Sequence, residues 1–148
     1  MSVSAASGSP VYAAAFVRER KIILEAALLS KPRAFRLIVV HELFHFVWPR
    51  LSNKLRKEFG GILSGEWQNG ARGELGESSD VKKKLFLQTA ASETSPAWRD
   101  YVCESFCDTA AWLYSGVDDA GIFTLRKRWR ERRKAWFEAA SNNGPWKC

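Results

Sequence analysis

Residues 37–48, LIVVHELFHFVW, constrain the fold more than any other part of this chain. Upstream, Ser30 and Pro32 offer a helix N-cap and a proline near the first helical position, and Pro49 stops the helix after about Val47. The predicted helix is apolar on almost every face, which a helix tolerates only when protein covers most of its surface. We therefore expect it at the centre of the domain.

A β-hairpin and a flexible start are predicted before this helix. Val11–Val17 and Lys21–Leu28 are rich in apolar and β-branched residues and flank a charged turn. Residues 1–9 are small and polar, which is typical of a frayed terminus. The expected organisation is a flexible tail over residues 1–10 and one domain over residues 11–148.

Four helices are predicted after the central helix. Ser52 can cap one helix, and the pair at 95–96 can begin another that runs over residues 95–114. Between them, residues 60–79 carry six glycines and predict a long loop, followed by a short helix over Val81–Leu87. A last helix is expected over Ile122–Ala140. With the hairpin, these elements predict an α+β fold. The apolar stripe of the last helix consists of Ile122, Leu125, Trp129, Trp136 and Ala140.

The composition excludes several classes of protein. With 46% hydrophobic and 26% charged residues, the chain is not collagenous, of low complexity or wholly disordered. No stretch approaches the roughly 20 apolar residues of a membrane span, so we expect no membrane partner. Cys103, Cys107 and Cys148 are an odd number and too few for a disulfide framework, which favours a reducing, cytoplasmic location.

The central helix carries the motif His41-Glu42-Leu43-Phe44-His45, an H-E-x-x-H that contains both histidines of the chain. Residues i and i+4 share a helix face, so both imidazoles can bind one tetrahedral zinc ion. Glu42 is offset by about 100° and can hold the reacting water without binding the metal. Two core histidines bonded to backbone groups are the alternative, but the buried helix around the motif favours zinc.

A zinc site of this kind needs a third protein ligand, and no third histidine exists. Glu104 is the best candidate, because it lies in a predicted helix among apolar residues, where an unpaired carboxylate is costly to bury. Asp108, one turn later, shares its face and could accept the second N–H of a ligand histidine. Three alternatives stay open as the third ligand: Glu66, Cys103 and Cys107.

These segments resemble the gluzincin group of zinc metallopeptidases, which is defined by H-E-x-x-H and a downstream glutamate, commonly as E-x-x-x-D. Residues 20–48, RKIILEAALLSKPRAFRLIVVHELFHFVW, look like the strand–loop–helix entry of the ImmA/IrrE-like family. Residues 104–113, ESFCDTAAWL, are similar to the second motif of that family. The fold implied is a minimal zincin-like domain, in which a short antiparallel sheet packs on the helix that bears H-E-x-x-H.

The resemblance implies a zinc-dependent enzyme that hydrolyses peptide bonds in a peptide or protein substrate. Glu42 would take a proton from the reacting water and deliver it to the leaving amine. The strand Lys21–Leu28 would hold the substrate as an added strand. Such sites usually have one more donor to the oxyanion, and Tyr101 is our choice because it lies one turn before Glu104.

Nearly all of the net charge lies in one segment, which supports a competing function. Residues 126–134, RKRWRERRK, contain seven basic and one acidic residue, so they carry +6 of the net +7. A nucleic-acid-binding protein could use this basic helix, with tryptophans that stack on bases. Trp129 and Trp136 fall on the apolar stripe, however, so we expect them in the core and the arginines on a solvated face. Nucleic acid is therefore not the expected partner. A zincin-fold protein without turnover, which acts by binding a partner, is the other alternative.

Overall fold

The computed structural model describes residues 2–4, 10–89, 92–117 and 121–148. They form an α+β structure in which an antiparallel sheet accompanies five α-helices. The strands are β1 (Ser2–Ser4), β2 (Pro10–Phe16) and β3 (Lys21–Leu24), in the order β1-β2-β3.

The predicted hairpin is confirmed as β2 and β3. Their register sets Ala13 opposite Leu24 and Phe16 opposite Lys21. The second strand ends earlier than predicted, since a short 3-10 helix follows over Ala26–Ser30. The flexible tail predicted over residues 1–10 is corrected in part. Its residues 2–4 form β1, because β2 offers backbone groups along its edge that a further strand can pair with. Residues 1 and 5–9 lie outside the described residues.

Sequence signals locate most helix starts. Ser52 accepts a hydrogen bond from the backbone N–H of Leu55, and Ser95 accepts one from Trp98 in the same way, as predicted for N-caps. Ser30 does not cap the first helix; it ends the 3-10 helix and donates to the carbonyl of Ala27. The helices are α1 (Pro32–Val47), α2 (Asn53–Gln68), α3 (Glu77–Gln88), α4 (Pro96–Tyr114) and α5 (Lys127–Ser141).

The long loop predicted over residues 60–79 is wrong over its first half, because α2 continues to Gln68. Phe59, Leu63 and Glu66 recur at helical spacing and are all buried. Each glycine costs about 1 kcal/mol of helix propensity, and burying such side chains outweighs this cost. The helix predicted over Val81–Leu87 is confirmed and begins earlier, at the start of α3.

The last helix, α5, begins five residues later than predicted. Ile122 lies before α5 and is 39% exposed, so it does not belong to the apolar stripe. Leu125 and Trp129 are buried as expected. The main core joins α1, α2, α4 and α5 through an aromatic cluster, which includes Phe44, Phe59, Phe106 and Phe137.

The sheet packs on α1 through a smaller core of Ala13, Leu28 and Ile38. Most of the remaining α1 surface is covered as well, which confirms its central position. Within the described residues, no helix is both long and apolar enough to cross a lipid bilayer.

Candidate metal centre

Helices α1 and α4 bring three predicted ligands together. His41 Nε2 lies 3.2 Å from His45 Nε2 and 3.0 Å from Glu104 Oε2, and His45 Nε2 lies 3.5 Å from the same oxygen. Both histidines come from one face of α1, whereas Glu104 approaches from α4. The local spacing of the motif therefore supplies two ligand atoms, and the packing of the two helices adds the third.

The size of this triangle fits a zinc ion. Two ligand atoms bound to zinc at about 2.0–2.1 Å lie about 3.3 Å apart at the tetrahedral angle. The three separations of 3.2, 3.0 and 3.5 Å surround this value. Glu104 Oε2 is buried and, apart from its close contacts with the two imidazoles, has no hydrogen-bond partner among the described residues. A cation between the three atoms would satisfy this oxygen.

The electrostatics of the triangle favour positive charge. Burial alone would raise the pKa of Glu104, but the His41 and His45 imidazoles outweigh it and lower that pKa to about 2. Burial alone would lower the pKa of His45, yet Cys103 and Glu104 raise it to about 9. The cluster thus holds an anionic carboxylate that favours positive charge between it and the imidazoles, which a bound metal ion could supply in place of protons.

Asp108 lies beside His41, as predicted. Its Oδ1 is 2.6 Å from His41 Nδ1, so the imidazole can donate to the carboxylate through this nitrogen and keep Nε2 for a metal. The other oxygen, Oδ2, accepts a 2.9 Å hydrogen bond from the backbone N–H of Ser79, in the first turn of α3. Asp108 is therefore held from two sides.

Gly76, which precedes α3, is required by its closeness to Asp108. Its φ of −176° is extended backbone that any residue adopts, so conformation does not demand a glycine. A Cβ at this position would lie 2.3–2.5 Å from the carboxylate atoms of Asp108. Only a residue without a side chain lets α3 approach closely enough to donate to that carboxylate. The sequence alone does not reveal this role, because a single glycine in a glycine-rich stretch carries no signal of what it contacts.

Glu42 is 1% exposed, and both of its carboxylate oxygens are buried. Neither oxygen has a hydrogen-bond partner within the described part of the chain. A buried carboxylate without partners is costly, and the cost falls when a water molecule or a substrate group donates to it. Glu42, which follows His41 in α1, therefore carries a hydrogen-bond acceptor that the fold does not use.

Cys103 contacts the other ring nitrogen of His45. Its Sγ lies 3.8 Å from His45 Nδ1, on the side opposite the atom that faces Glu104. Cys103, Cys107 and His45 form a second group whose possible ligand atoms all lie within 4.8 Å of one another. The two cysteines do not join the first triangle, so they do not replace Glu104 as its third member.

Tyr101 is not brought to the triangle. Its hydroxyl donates a short hydrogen bond to Glu74, and the side chain is 2% exposed. Burial, followed by the negative charge of Glu74, raises the pKa of Tyr101 well above its usual value. A phenol committed to a buried carboxylate is not available to stabilise an oxyanion, so the structure does not support the predicted role.

Glu66, the short-spacing alternative for the third ligand, is also used elsewhere. The guanidinium of Arg133 in α5 binds both of its oxygens, with Nε 2.9 Å from Oε1 and Nη2 2.7 Å from Oε2. Arg133 also donates to Glu74 over 3.1 Å, and Lys83 Nζ lies 3.6 Å from Glu74. These buried charges form an ion-pair network, which Arg133 links to α4 by donating to Ser105 and Thr109.

Arg133 corrects the expectation that the arginines of α5 form a solvated face. Its side chain is fully buried, although Arg128, Arg132 and Lys134 are exposed. The sequence contained a signal for this exception: position 133 lies four residues after Trp129, on the apolar stripe. Trp129 is buried as predicted, and the guanidinium carbons of Arg128 and Arg132 lie over its ring, 4.2 and 5.4 Å from the centroid.

Comparison with known proteins adds no relative. No protein family, no curated protein and no solved structure matches this chain.

Proposed function

We propose that this protein is a zinc-dependent peptidase, with a zinc ion held by His41, His45 and Glu104. The convergence of three ligand atoms at separations that fit zinc is the observation that supports the proposal. The buried Glu104 oxygen, which faces both imidazoles, and the Asp108–His41 contact support it further. A fourth protein ligand is absent from this group in the described residues, as in catalytic rather than structural zinc sites.

The residues of the chain divide the chemistry between them. Zinc, when bound, supplies a Lewis acid that polarises a carbonyl and acidifies water. Glu42 accepts a proton from the reacting water and passes it to the leaving amine, a role that needs a carboxylate with free lone pairs. Asp108 orients the His41 ring, so that Nε2 is presented to the metal.

A peptide substrate is proposed to bind along β3. This strand is at the edge of the sheet in the described residues, with backbone groups free to pair with an added strand. The substrate would be a peptide or protein segment in an extended conformation. We propose a cytoplasmic location, in keeping with three cysteines that are all free thiols.

The alternative is a protein of the same fold that binds partners without turnover. A nucleic-acid-binding protein is a weaker candidate. Trp129 is buried and cannot stack on bases, so α5 offers nucleic acid only its exposed positive charges.

Zinc stoichiometry tests the ligand set. Glu104→Ala should lose zinc, whereas Glu66→Ala should keep it, because Glu66 is bound to Arg133. Inductively coupled plasma mass spectrometry of the purified proteins gives the metal content. Zinc retained in Glu104→Ala and lost in a folded Glu66→Ala would contradict the proposed site.

Activity tests the role of Glu42. Glu42→Gln should bind zinc as well as the parent, because Glu42 does not belong to the ligand triangle. Peptide-bond cleavage should fall by about 10²–10⁴-fold, because an amide cannot accept the proton. A broad peptide library read by mass spectrometry supplies the substrate. Cleavage by the parent that persists in Glu42→Gln would refute the mechanism, and a parent that binds zinc without cleaving any peptide would favour the non-catalytic alternative.

A further inference from the structure

We propose a second metal site for a thiophilic ion, formed by Cys103, Cys107 and His45 Nδ1. Cys103 and Cys107 are one turn apart on α4, and neither forms a disulfide. Their sulfurs and a nitrogen of His45 lie within 4.8 Å of one another. Two thiolates and an imidazole are the ligands that soft metal ions prefer.

The distance between Cys103 Sγ and His45 Nδ1 fits common coordination. With metal bonds of about 2.3 Å to sulfur and 2.0–2.1 Å to nitrogen, the two ligand atoms are about 3.6 Å apart at the tetrahedral angle and about 3.8 Å apart at the trigonal angle. The observed separation is 3.8 Å. A three-coordinate ion therefore needs no movement of these two side chains.

The surroundings also suit a thiolate-bound divalent ion. Cys107 is buried and Cys103 and His45 are half-buried, so the ligands are largely shielded from water. Two thiolates and one divalent cation sum to zero charge, which lowers the cost of burial. On binding, both thiol protons leave to solvent, and no electron transfer is required.

Both metal sites share the imidazole of His45, and this makes them antagonistic. A neutral imidazole has one nitrogen with a lone pair and one that carries hydrogen. When Nε2 binds a metal with His41 and Glu104, Nδ1 carries its hydrogen towards Cys103. When Nδ1 binds a metal with the thiolates, Nε2 carries hydrogen and cannot bind zinc. The antagonism rests on the proposed zinc centre, whereas the thiol site does not.

Cadmium is the probe for the thiol site, because its thiolate complexes absorb in the ultraviolet. The titration uses zinc-free, reduced protein with Cys148→Ser, which removes the exposed thiol. The expected result is one Cd²⁺ per chain with thiolate absorption. Cys103→Ala and Cys107→Ala should weaken binding by at least the roughly 10–100-fold that even an outer partner of a metal site contributes. Glu104→Gln is the matched control and should keep both the absorption and the affinity.

Absence of thiolate absorption in the Cys148→Ser protein would overturn the thiol site, and so would unchanged affinity in both alanine variants. Circular dichroism checks that each variant is folded. A further test needs no substitution in the core: Cd²⁺ should protect Cys103 from iodoacetamide in protein that keeps Cys103, Cys107 and His45, as read by mass spectrometry.

Zinc-loaded protein tests the antagonism: Cd²⁺ should release one zinc to a chromogenic chelator. Simultaneous retention of both ions would refute the antagonism. Loss of zinc binding in Glu104→Gln without loss of Cd²⁺ binding separates the two sites.

Discussion

Arg133→Met should destabilise the fold strongly, because it breaks a buried ion-pair network. The Arg133 side chain is fully buried and binds Glu66 through two hydrogen bonds of 2.9 and 2.7 Å. It also donates to Glu74, Ser105 and Thr109 over 3.1, 3.0 and 3.3 Å. The methionine side chain reaches only as far as the arginine Nε, so the change keeps most of the apolar stem and removes the guanidinium group with its charge, its hydrogen bonds and its packing.

The substitution leaves Glu66 and Glu74 with different numbers of positively charged partners. Lys83 Nζ lies 3.6 Å from Glu74 and still balances its charge after the substitution. Among the ion pairs of the described residues, Glu66 has Arg133 alone. Leaving one buried charge without its partner costs about 3–5 kcal/mol. For a domain near 150 residues, this corresponds to a fall in Tm of about 6–20 °C.

Urea unfolding followed by tryptophan fluorescence, with differential scanning fluorimetry for Tm, measures this loss. The matched control is the double variant Arg133→Met with Glu66→Gln, which removes both charges of the pair. It should recover most of the loss, because a neutral amide is much cheaper to bury than a carboxylate. A loss below about 1 kcal/mol in the single variant, or no recovery in the double variant, would refute the reasoning.

Three further predictions follow from the structure. Asp108→Ala should keep the fold and lower zinc affinity by about 10–100-fold, measured by competition with a chromogenic chelator; unchanged affinity would show that the carboxylate does not orient the ligand. Gly76→Ala should lower zinc affinity as well, because its Cβ would displace the Asp108 carboxylate or the start of α3; Gly61→Ala, where a Cβ meets nothing within 4 Å, is the control. Replacing three exposed basic residues of α5 should leave zinc binding and peptide cleavage unchanged and remove only weak, salt-dependent binding to duplex DNA in a fluorescence assay; tight, sequence-dependent binding by the parent would contradict the proposed function. The residues to replace in α5 are Arg128, Arg132 and Lys134.

The sequence is sufficient to predict the features that depend on interactions between residues close together in the chain. The i, i+4 spacing of His41 and His45 places two imidazoles on one helix face whatever else the chain does. Ser52 and Ser95 cap their helices because the capping bond reaches only a few residues along the chain. Glu104 is predicted from its place in a helix rich in apolar residues, where an unpaired carboxylate is costly, and Asp108 from its position one turn later on the same face.

Long-range contacts decided the rest, since a spacing along the chain does not say which helix faces which. Tyr101 and Glu104 are three residues apart on α4, but the hydroxyl lies against Glu74 and the carboxylate lies against α1. Glu104 was preferred over Glu66 because of its predicted helix, and the structure adds that Glu66 is bound by Arg133, 67 residues away.

The same reason accounts for Arg133 and Gly76. A basic run predicts a solvated face, and Arg133 is buried only because Glu66 and Glu74 from other parts of the chain compensate its charge. Gly76 has no conformational need to be glycine, and its role depends on a carboxylate that is distant in sequence and adjacent in space. The sequence by itself thus determined the chemistry that the central helix can offer, and the tertiary structure decided which distant side chains complete it, because contact energies act through space.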